Sequence, residues 1–277
     1  KALIPSGINI QFLIVDNTAN AGAKILIDKF KRYFKFKIFY VNEKKRGVVF
    51  ARNRCLVEIK KRNCDYFAFF DDDGEIDKKW FINLKKILNS EKVQIVTGPQ
   101  IHKSSKISNE TPRIIFEKKV RKKKDFIKWA ATNNVVVNKK VILSTNLKFD
   151  VNLNKFGMGE DQLFFLQLNN LGYKILWSSD IKVYEMPHSH RVGKKWIATR
   201  SFRLGILGNY IDKVIYGNIM GFAVNYLKSL FYLLLSILLI FNPFQKFYYY
   251  NLLNLFFRAI GRIFSPFLFK KTKFFKK

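Results

Sequence analysis

The chain has 277 residues, with 51 Lys plus Arg against 20 Asp plus Glu, which gives a formal net charge of +31. Because 48% of the residues are hydrophobic and 16% are aromatic, the composition excludes a disordered basic tail of the kind that coats nucleic acid. Cys55 and Cys64 have no histidine-rich neighbourhood, so we predict neither a disulfide framework nor a zinc site. This cysteine usage indicates a reducing compartment.

Strand-like and helix-like patterns alternate along the chain up to residue 184. Short apolar runs predict strands at 10–15, 37–42, 66–70, 93–97, 130–138, 174–177 and 181–184. Helical spacing of apolar residues predicts helices at 23–33, 49–61, 78–88 and 160–171. Alternation of this kind predicts an α/β domain built on a mostly parallel sheet.

The composition changes near residue 214, where two long hydrophobic segments begin. Residues 219–241 carry a single charge, Lys228, and residues 247–269 include two arginines, Arg258 and Arg262. Both segments reach the roughly 20 residues that a membrane-spanning helix needs. Charges inside them favour interfacial helices or a shallow hairpin over clean spanning helices. A soluble helical hairpin that packs on the domain is the alternative.

The end of the chain is strongly basic. Residues 270–277 include five Lys and no acid, which favours contact with an anionic membrane surface. We expect Pro243 and Pro266 to end the two hydrophobic segments. The sequence therefore predicts two domains, an α/β domain at 1–213 and hydrophobic, basic membrane-association helices at 214–277.

Three consecutive acids, Asp71, Asp72 and Asp73, directly follow the aromatic strand at 66–70. Because like charges repel, such a cluster needs a cation or exposure to water. Carboxylates at the end of a strand suit Mg²⁺ or Mn²⁺ that is shared with the phosphates of a substrate. The alternative is a solvated turn whose acids cap the helix that starts near Asp77.

Two glycine-containing loops lead into predicted helices. The loop at 157–159 is followed by Glu160 and Asp161, although acids at a helix start are also ordinary caps. The segment 47–53 ends in an Arg-Asn pair that includes Arg52. Such a loop could hold a phosphate or a nucleotide, or could simply begin a helix.

Taken in order, these pieces resemble the family 2 glycosyltransferases with the GT-A fold. The resemblance covers roughly residues 10–210 and rests on Val15-Asp16-Asn17, Gly47-Val48-Val49-Phe50-Ala51-Arg52-Asn53, Asp71-Asp72-Asp73, Thr132-Asn133-Asn134, Phe149-Asp150, Gly159-Glu160-Asp161 with Phe164, Gly172-Tyr173 and Arg200-Ser201-Phe202-Arg203-Leu204-Gly205. It implies a Rossmann-like, mostly parallel mixed sheet flanked by helices. Members usually begin with an apolar strand and a Pro-Thr-Tyr-Asn-like loop. Nothing before Ile8 matches them, so we expect a chain that lacks this first strand.

The resemblance also implies which residues bind the donor. Asp16 would contact the nucleotide base, and Asp71 would lie by the base or the ribose, with Asp72 beside it. Arg52 is a candidate contact to the donor phosphates or the base. Asp73, assisted by Asp71, would bind the metal that bridges the donor diphosphate.

Further roles follow from the same resemblance. Asp161 would be the base that takes the proton from the acceptor hydroxyl, with Glu160 raising its pKa or orienting it. His188 could complete the metal site, or be an ordinary loop histidine at a helix start. Asn133 and Asn134 are candidate sugar or acceptor contacts. Arg200 and Arg203 could hold the diphosphate of a lipid-linked acceptor, because guanidinium groups suit phosphate, or could form a solvated basic face of a helix.

The predicted function is inverting transfer of a sugar from a nucleotide-sugar donor to a cell-envelope polysaccharide or lipid-linked acceptor. It would use Mg²⁺ or Mn²⁺ at the cytoplasmic face of the inner membrane. A nucleotidyltransferase with the same metal-carboxylate site is one alternative. A basic nucleic-acid-binding protein that uses the run at 118–124 is another. Adjacent acids and a hydrophobic carboxyl-terminal third argue against it, so we expect no nucleic acid partner.

Overall fold

The computed structural model describes residues 2–103, 123–185, 193–241 and 248–268. The chain forms two compact units. The first contains the described residues up to Ile101 and from 123 to Tyr184, and the second contains the others. The helix that follows residue 193 belongs to the second unit, whereas the sequence analysis placed it before a boundary at 213. The predicted functional domains, 1–213 and 214–277, stay a prediction.

The described residues contain ten strands in three sheets. The strands are β1 Gln11–Asp16, β2 Lys37–Asn42, β3 Tyr66–Phe70, β4 Gly74–Ile76, β5 Ile95–Thr97, β6 Gln100–His102, β7 Lys124–Ile127, β8 Asn134–Asn138, β9 Ile175–Ser178 and β10 Val183–Glu185. Strands β1 and β2 form one sheet, and β4, β10 and β6 form a second in that order. The third sheet has five strands in the order β3-β8-β5-β9-β7.

The pairing directions differ from the expected mostly parallel sheet. Strand β1 is parallel to β2, and β5 is parallel to β9. Strand β8, however, is antiparallel to both β3 and β5, and β7 is antiparallel to β9. The five-stranded sheet is therefore mixed, with more antiparallel than parallel pairs. The reason is that β8 lies between β3 and β5, so the alternation of strands and helices does not describe a simple series of parallel crossovers.

Five helices of the first unit flank the sheets. They are α1 Lys24–Lys31, α2 Val48–Lys60, α3 Trp80–Ser90, α4 Lys139–Thr145 and α5 Glu160–Asn170, with a 3₁₀ turn at Val151–Leu153. Alternate residues of β8 point to opposite faces of the sheet. Val135 and Val137 pack into the core with α2, α4 and α5, whereas Val136 packs into the core with α3. The sheet is thus covered by helices on both faces.

The described residues of the second unit form three long helices. They are α6 Lys194–Tyr216, α7 Asn218–Ile240 and α8 Tyr248–Leu268. Pro266 lies inside α8, so the expectation that it ends the segment is wrong. A proline at 266 cannot donate to the carbonyl of Arg262, but the Asn225 side-chain amide donates to that carbonyl instead, at 3.2 Å. Pro243 lies outside the described residues.

Helix α7 is the one described helix that is long and apolar enough to cross a membrane, judged by length and composition. Only 17% of its apolar window is buried within the protein, which leaves most of its apolar surface uncovered. The second unit thus presents an apolar helix face of the kind expected of a membrane-associated segment.

Candidate active site

Asp16 lies at the carboxyl end of β1, where its side chain shapes the loop that follows. One carboxylate oxygen accepts hydrogen bonds from the backbone amide and the hydroxyl of Thr18, at 2.9 and 2.8 Å. The other accepts from the Ala23 amide at 3.0 Å and the Tyr40 hydroxyl at 2.8 Å. Burial alone would raise the pKa of Asp16, but these bonds outweigh it and lower the pKa to about 2. Asp16 thus holds this loop, and its predicted base contact stays a prediction.

The side chain of Asn17 connects two loops, a role that the sequence analysis did not assign to it. Its amide nitrogen donates to the carbonyls of Glu43 and Lys45, at 3.0 and 2.6 Å, and its oxygen accepts from the amide of Gly47 at 2.6 Å. These bonds connect the end of β1 to the loop that leads into α2. The signal was the position of Asn17, directly after a strand that ends in an acid.

The acids Asp71, Asp72 and Asp73 form an exposed turn after β3. The turn is closed by a bond from the Gly74 amide to the Asp71 carbonyl, at 3.1 Å. The start of α3 is organised instead by Asp77, whose side chain accepts from the backbone amide two residues later, at 2.9 Å. The three acids therefore lie in an exposed turn at the end of the strand, where the sequence predicted a ligand-binding cluster.

Arg52 joins two of the acidic motifs. This residue lies on α2, and its guanidinium bonds to the Glu160 carboxylate on α5 and lies 3.7 Å from the Asp71 carboxylate. The Glu160 side chain is only 5% exposed. Burial and, to a lesser degree, the charge of Asp161 raise the pKa of Glu160, against the attraction of Arg52. Arg52 therefore brings the first turn of α5 to the end of β3.

The acids of both motifs lie close together, because Arg52 contacts both Glu160 and Asp71. The pKa of Asp71 is raised, first because surrounding atoms desolvate it and then because Asp73, Asp161 and Asp72 repel its charge. Arg52 opposes this shift. The structure thus gathers the predicted base Asp161 and the acidic turn into one site, which the sequence had placed about ninety residues apart.

Asn53, which follows Arg52 on α2, helps to position the contact between Arg52 and Glu160. Its side-chain amide makes a reciprocal pair with the backbone of Phe149, at 2.9 and 2.8 Å. The Phe149 ring stacks on that of Phe164 in α5, with centroids 4.1 Å apart. Because both ends of this connection are well packed, α2 and α5 are held at the separation that the Arg52 and Glu160 contact needs.

Asn134, at the start of β8, makes its side-chain hydrogen bonds within the core. The residue is fully buried. Its amide nitrogen donates to the carbonyls of Ile181 and Pro99, at 2.7 and 3.3 Å, and its oxygen accepts from the Trp80 indole at 3.1 Å. These bonds hold Asn134 in the core, because a buried amide cannot exchange its hydrogen bonds without cost. Its predicted sugar contact stays a prediction.

The other candidate contacts are not tested by this geometry. Asn133 is half-buried and donates to the Gln100 side chain. Arg200 and Arg203 lie on α6, in the second unit. His188 lies outside the described residues. Their predicted roles with acceptor, sugar or metal stay predictions.

The carboxylates of the acidic turn suit a metal ion that also binds oxygens of a substrate. Within the described residues, no group of three or more His, Cys, Asp or Glu side chains is arranged to hold a metal ion by itself. Mg²⁺ in phosphate-transfer sites commonly takes one or two carboxylates, with phosphate and water oxygens as its other ligands. Asp71 and Asp73 are both exposed, which is compatible with such a shared ion.

The sequence resembles known glycosyltransferases. The family model described as glycosyl transferase family 2 matches residues 2–144, which is more than half of the chain. The succinoglycan biosynthesis protein ExoM of Rhizobium meliloti (strain 1021) is 26% identical over 207 residues. This match covers 73% of the chain and 65% of ExoM, so the chain spans just under two thirds of the length of that curated relative.

Solved structures resemble the fold at low sequence identity. The crystal structure of GalNAc-T7 with UDP, GalNAc and Mn²⁺ has a TM-score of 0.51 and 11% identity, and the match covers 74% of this chain and 43% of that one. S. aureus TarS 1–349 in complex with UDP matches 92% of this chain and 82% of its own, at 12% identity. The TM-score of that match is 0.47.

These comparisons confirm the GT-A fold that the order of motifs implied. The likeness to GalNAc-T7 concerns the fold alone, since the sequences are only 11% identical. The family match stands on the sequence itself and includes Asp16, Arg52, the acidic turn and the two asparagines at 133 and 134. Because that match extends over more than half of its length, the chain belongs to glycosyl transferase family 2.

Proposed function

We propose that this chain is an inverting glycosyltransferase that moves a hexosyl group from a nucleotide-sugar donor to a saccharide or lipid-linked acceptor of the cell envelope. Membership of the family supports sugar transfer. The observation that supports the assignment of the active site is the contact of Arg52 with Glu160 and Asp71. Asp161, next to Glu160, is thereby close enough to the acidic turn for its charge to repel that of Asp71. A base and a diphosphate-binding cluster at one site are what a single displacement at an anomeric carbon requires.

Asp161 is the proposed base of this displacement. Its carboxylate takes the proton from the acceptor hydroxyl while the hydroxyl oxygen forms a bond to the anomeric carbon. The bond from that carbon to the diphosphate breaks, and the nucleoside diphosphate leaves with the electron pair. The side chain of Asp161 is half-buried, and one of its oxygens accepts from the amide of Gln162 at 2.7 Å. That bond supports the role because it fixes the orientation of the carboxylate.

The donor side is assigned to the acidic turn. Asp73 and Asp71 would hold Mg²⁺ or Mn²⁺, with Asp72 beside the nucleotide. A bound divalent ion would neutralise the charge that develops on the diphosphate leaving group. Mn²⁺ is present in the crystal structure of GalNAc-T7, which supports a divalent ion without identifying it. Asp16 would act on the donor through the loop that it holds.

The acceptor and the cellular location are proposed from the name of a relative and from the exposed face of α7. ExoM is named for succinoglycan biosynthesis, which favours an envelope polysaccharide or its lipid-linked precursor as the acceptor. The uncovered apolar face of α7 supports a location at the membrane. We place the protein at the cytoplasmic face of the inner membrane, with an anionic membrane surface as partner. Arg200 and Arg203 are the proposed contacts to an acceptor diphosphate.

The test is release of nucleoside diphosphate by the full chain from UDP-, GDP- and dTDP-sugars, with Mg²⁺ or Mn²⁺ and a membrane lipid extract as acceptor. Asp73→Ala and Asp161→Asn should each lower turnover by about a hundredfold or more. Asp125→Asn removes an exposed carboxylate on β7 and should leave turnover unchanged. Unchanged turnover in Asp161→Asn would remove the base assignment. Release of pyrophosphate would favour the nucleotidyltransferase, and strongly salt-dependent DNA binding would favour the nucleic-acid-binding protein.

A further inference from the structure

The three helices of the second unit carry a large excess of positive charge. Asp212 is their one acid in the described residues. Against it stand eight basic side chains, which are Lys194, Lys195, Arg200, Arg203, Lys213, Lys228, Arg258 and Arg262. The described residues of these three helices therefore carry a strongly positive net charge.

The single acid is already occupied. One oxygen of Asp212 accepts from the Arg262 guanidinium at 2.6 Å, and the other accepts from the Lys228 ammonium at 2.6 Å. The Asn225 side chain adds a bond to Arg262 at 3.0 Å. These contacts tie α6, α7 and α8 together and give Arg262 and Lys228 an ion-pair partner in Asp212.

Arg258 lies one helical turn before Arg262 and lacks such a partner. Its guanidinium lies over the ring of Tyr232 on α7, at 5.2 Å from the centroid. Its Nε is buried and has no hydrogen-bond partner. Among the described residues, no carboxylate is within ion-pair distance of this side chain. A partly desolvated guanidinium without an ion-pair partner costs free energy, so a bound anion would stabilise Arg258.

The surroundings of Arg258 favour a ligand that is both anionic and attached to an apolar body. Tyr232 lies on α7, whose outer side presents large exposed hydrophobic residues on both sides of it along the chain. They are Phe222, Leu227, Leu230, Phe231, Leu234, Ile237 and Leu238. A soluble anion would gain nothing from that apolar surface, whereas the acyl chains of a lipid would cover it.

We propose that Arg258 and Tyr232 form a binding site for the phosphate of an anionic phospholipid. The planar guanidinium can donate two parallel bonds to phosphate oxygens, and the Tyr232 hydroxyl can donate a third. The acyl chains would lie along the exposed face of α7. This site belongs to the second unit and does not depend on the proposed sugar transfer.

The test is native mass spectrometry of the detergent-purified full chain with added phosphatidylglycerol. We expect one retained phosphatidylglycerol in the unsubstituted chain. Arg258→Gln should lower retention about fivefold, the effect of one arginine near a lipid surface. Arg258→Lys keeps the charge but loses the planar fork and should lower retention as well. Lys213→Gln removes one charge from α6 and is the matched control, with retention unchanged.

Thermal unfolding in detergent separates loss of the site from loss of the fold. Phosphatidylglycerol should raise the Tm of the unsubstituted chain and of Lys213→Gln, but not that of Arg258→Gln. Without lipid, Arg258→Gln should be no less stable than the unsubstituted chain, because it removes an unpaired cation. Inorganic phosphate at the same concentration should not raise any Tm. Equal lipid retention by Arg258→Gln, or a Tm rise with inorganic phosphate alone, would overturn the proposal.

Discussion

At the scale of single residues, Asp16 is defined by its hydrogen bonds. Its pKa is lowered from 3.8 to about 2, so the ionised form stabilises the folded state. That contribution is complete above the ordinary pKa and is lost as the pH falls through about 2. We expect Asp16→Asn to lower the free energy of unfolding by about 1 kcal/mol near pH 7, and by less near pH 3.

Urea unfolding followed by tryptophan fluorescence at both pH values measures this difference. The matched control is Asp28→Asn, which removes an exposed carboxylate that pairs with Lys31 in the next turn of α1. Its effect should be small at both pH values, because exposed pairs contribute little. If Asp16→Asn lowered the free energy of unfolding more at pH 3 than at pH 7, the lowered pKa of Asp16 would be contradicted.

Arg52 is the second residue whose role follows from its partners. Arg52→Ala leaves the buried Glu160 carboxylate without a cation and should lower the free energy of unfolding by about 3 kcal/mol. Adding Glu160→Gln to Arg52→Ala should recover part of this loss, since no buried charge is then unpaired. Turnover should fall in Arg52→Ala, because the turn that carries Asp161 loses its anchor.

A double-mutant cycle by urea unfolding gives the coupling between these two residues. Arg54→Ala on the same helix is the control, since Arg54 is 39% exposed and Glu58 keeps Arg62 and Lys61 as partners. It should cost less than about 1 kcal/mol. If the Arg52 and Glu160 substitutions are additive, the two side chains do not act together.

At the scale of secondary-structure elements, Gly47 decides where α2 begins. Its φ is 132°, which is strained for any residue with a Cβ. A Cβ at this position would also lie 1.8 Å from Oδ1 of Asn154. We expect Gly47→Ala to destabilise the chain by about 1–3 kcal/mol and to weaken the bond from the Gly47 amide to Asn17. Thermal unfolding measures the loss.

The control for this substitution is Gly193→Ala, at the start of α6. Gly193 has a φ of −77°, and a Cβ there would meet no atom within 4 Å. Its effect should stay within about 0.5 kcal/mol. Equal Tm values for Gly47→Ala and Gly193→Ala would show that adding a side chain at position 47 causes no backbone strain.

The element scale also shows where sequence patterns stop being informative. Strand β3 and strand β2 begin and end at the predicted residues, because short apolar runs between turns are a local signal. The direction of β8 is not local, since it depends on which strands lie on either side of it. In α8, the Arg262 carbonyl that Pro266 cannot reach with an amide accepts a bond from Asn225, which lies on another helix.

At the scale of the whole molecule, the exposed face of α7 should decide where the protein is found. Leu227 and Leu238 are 67% and 63% exposed, so charged substitutions there should leave folding nearly unchanged. In a bilayer each charge would cost about 2.5 kcal/mol. We expect Leu227→Glu combined with Leu238→Glu to move most of the full chain from the membrane fraction to the soluble fraction.

Fractionation of cell extracts by ultracentrifugation measures this shift. Ile25→Glu places the same charge at a side chain that is 74% exposed on α1, in the first unit, and should not change the distribution. A full chain that is soluble without detergent before any substitution would argue against membrane attachment. An unchanged membrane fraction in the double variant would argue that α7 is not the attached face.

The sequence by itself determined the class of fold, the family and the positions of most strands and helices. It also indicated Asp16, Arg52, Asp71 and Asp161 as functional candidates. These are local features, because periodicity, turn residues and short motifs are written in neighbouring positions. The order of motifs was enough to imply the family that the comparisons then showed.

Only the tertiary structure decided what the polar side chains do. Arg52 and Glu160 are 108 positions apart, and their contact depends on how α2 and α5 pack. Asn133 and Asn134 are adjacent residues of the same type, yet Asn134 is fully buried and makes its side-chain hydrogen bonds within the core. Asp212 and Arg262 meet only when α6 and α8 are packed. The physical reason is that the role of a polar group depends on its burial and its partners, and both are set by distant parts of the chain.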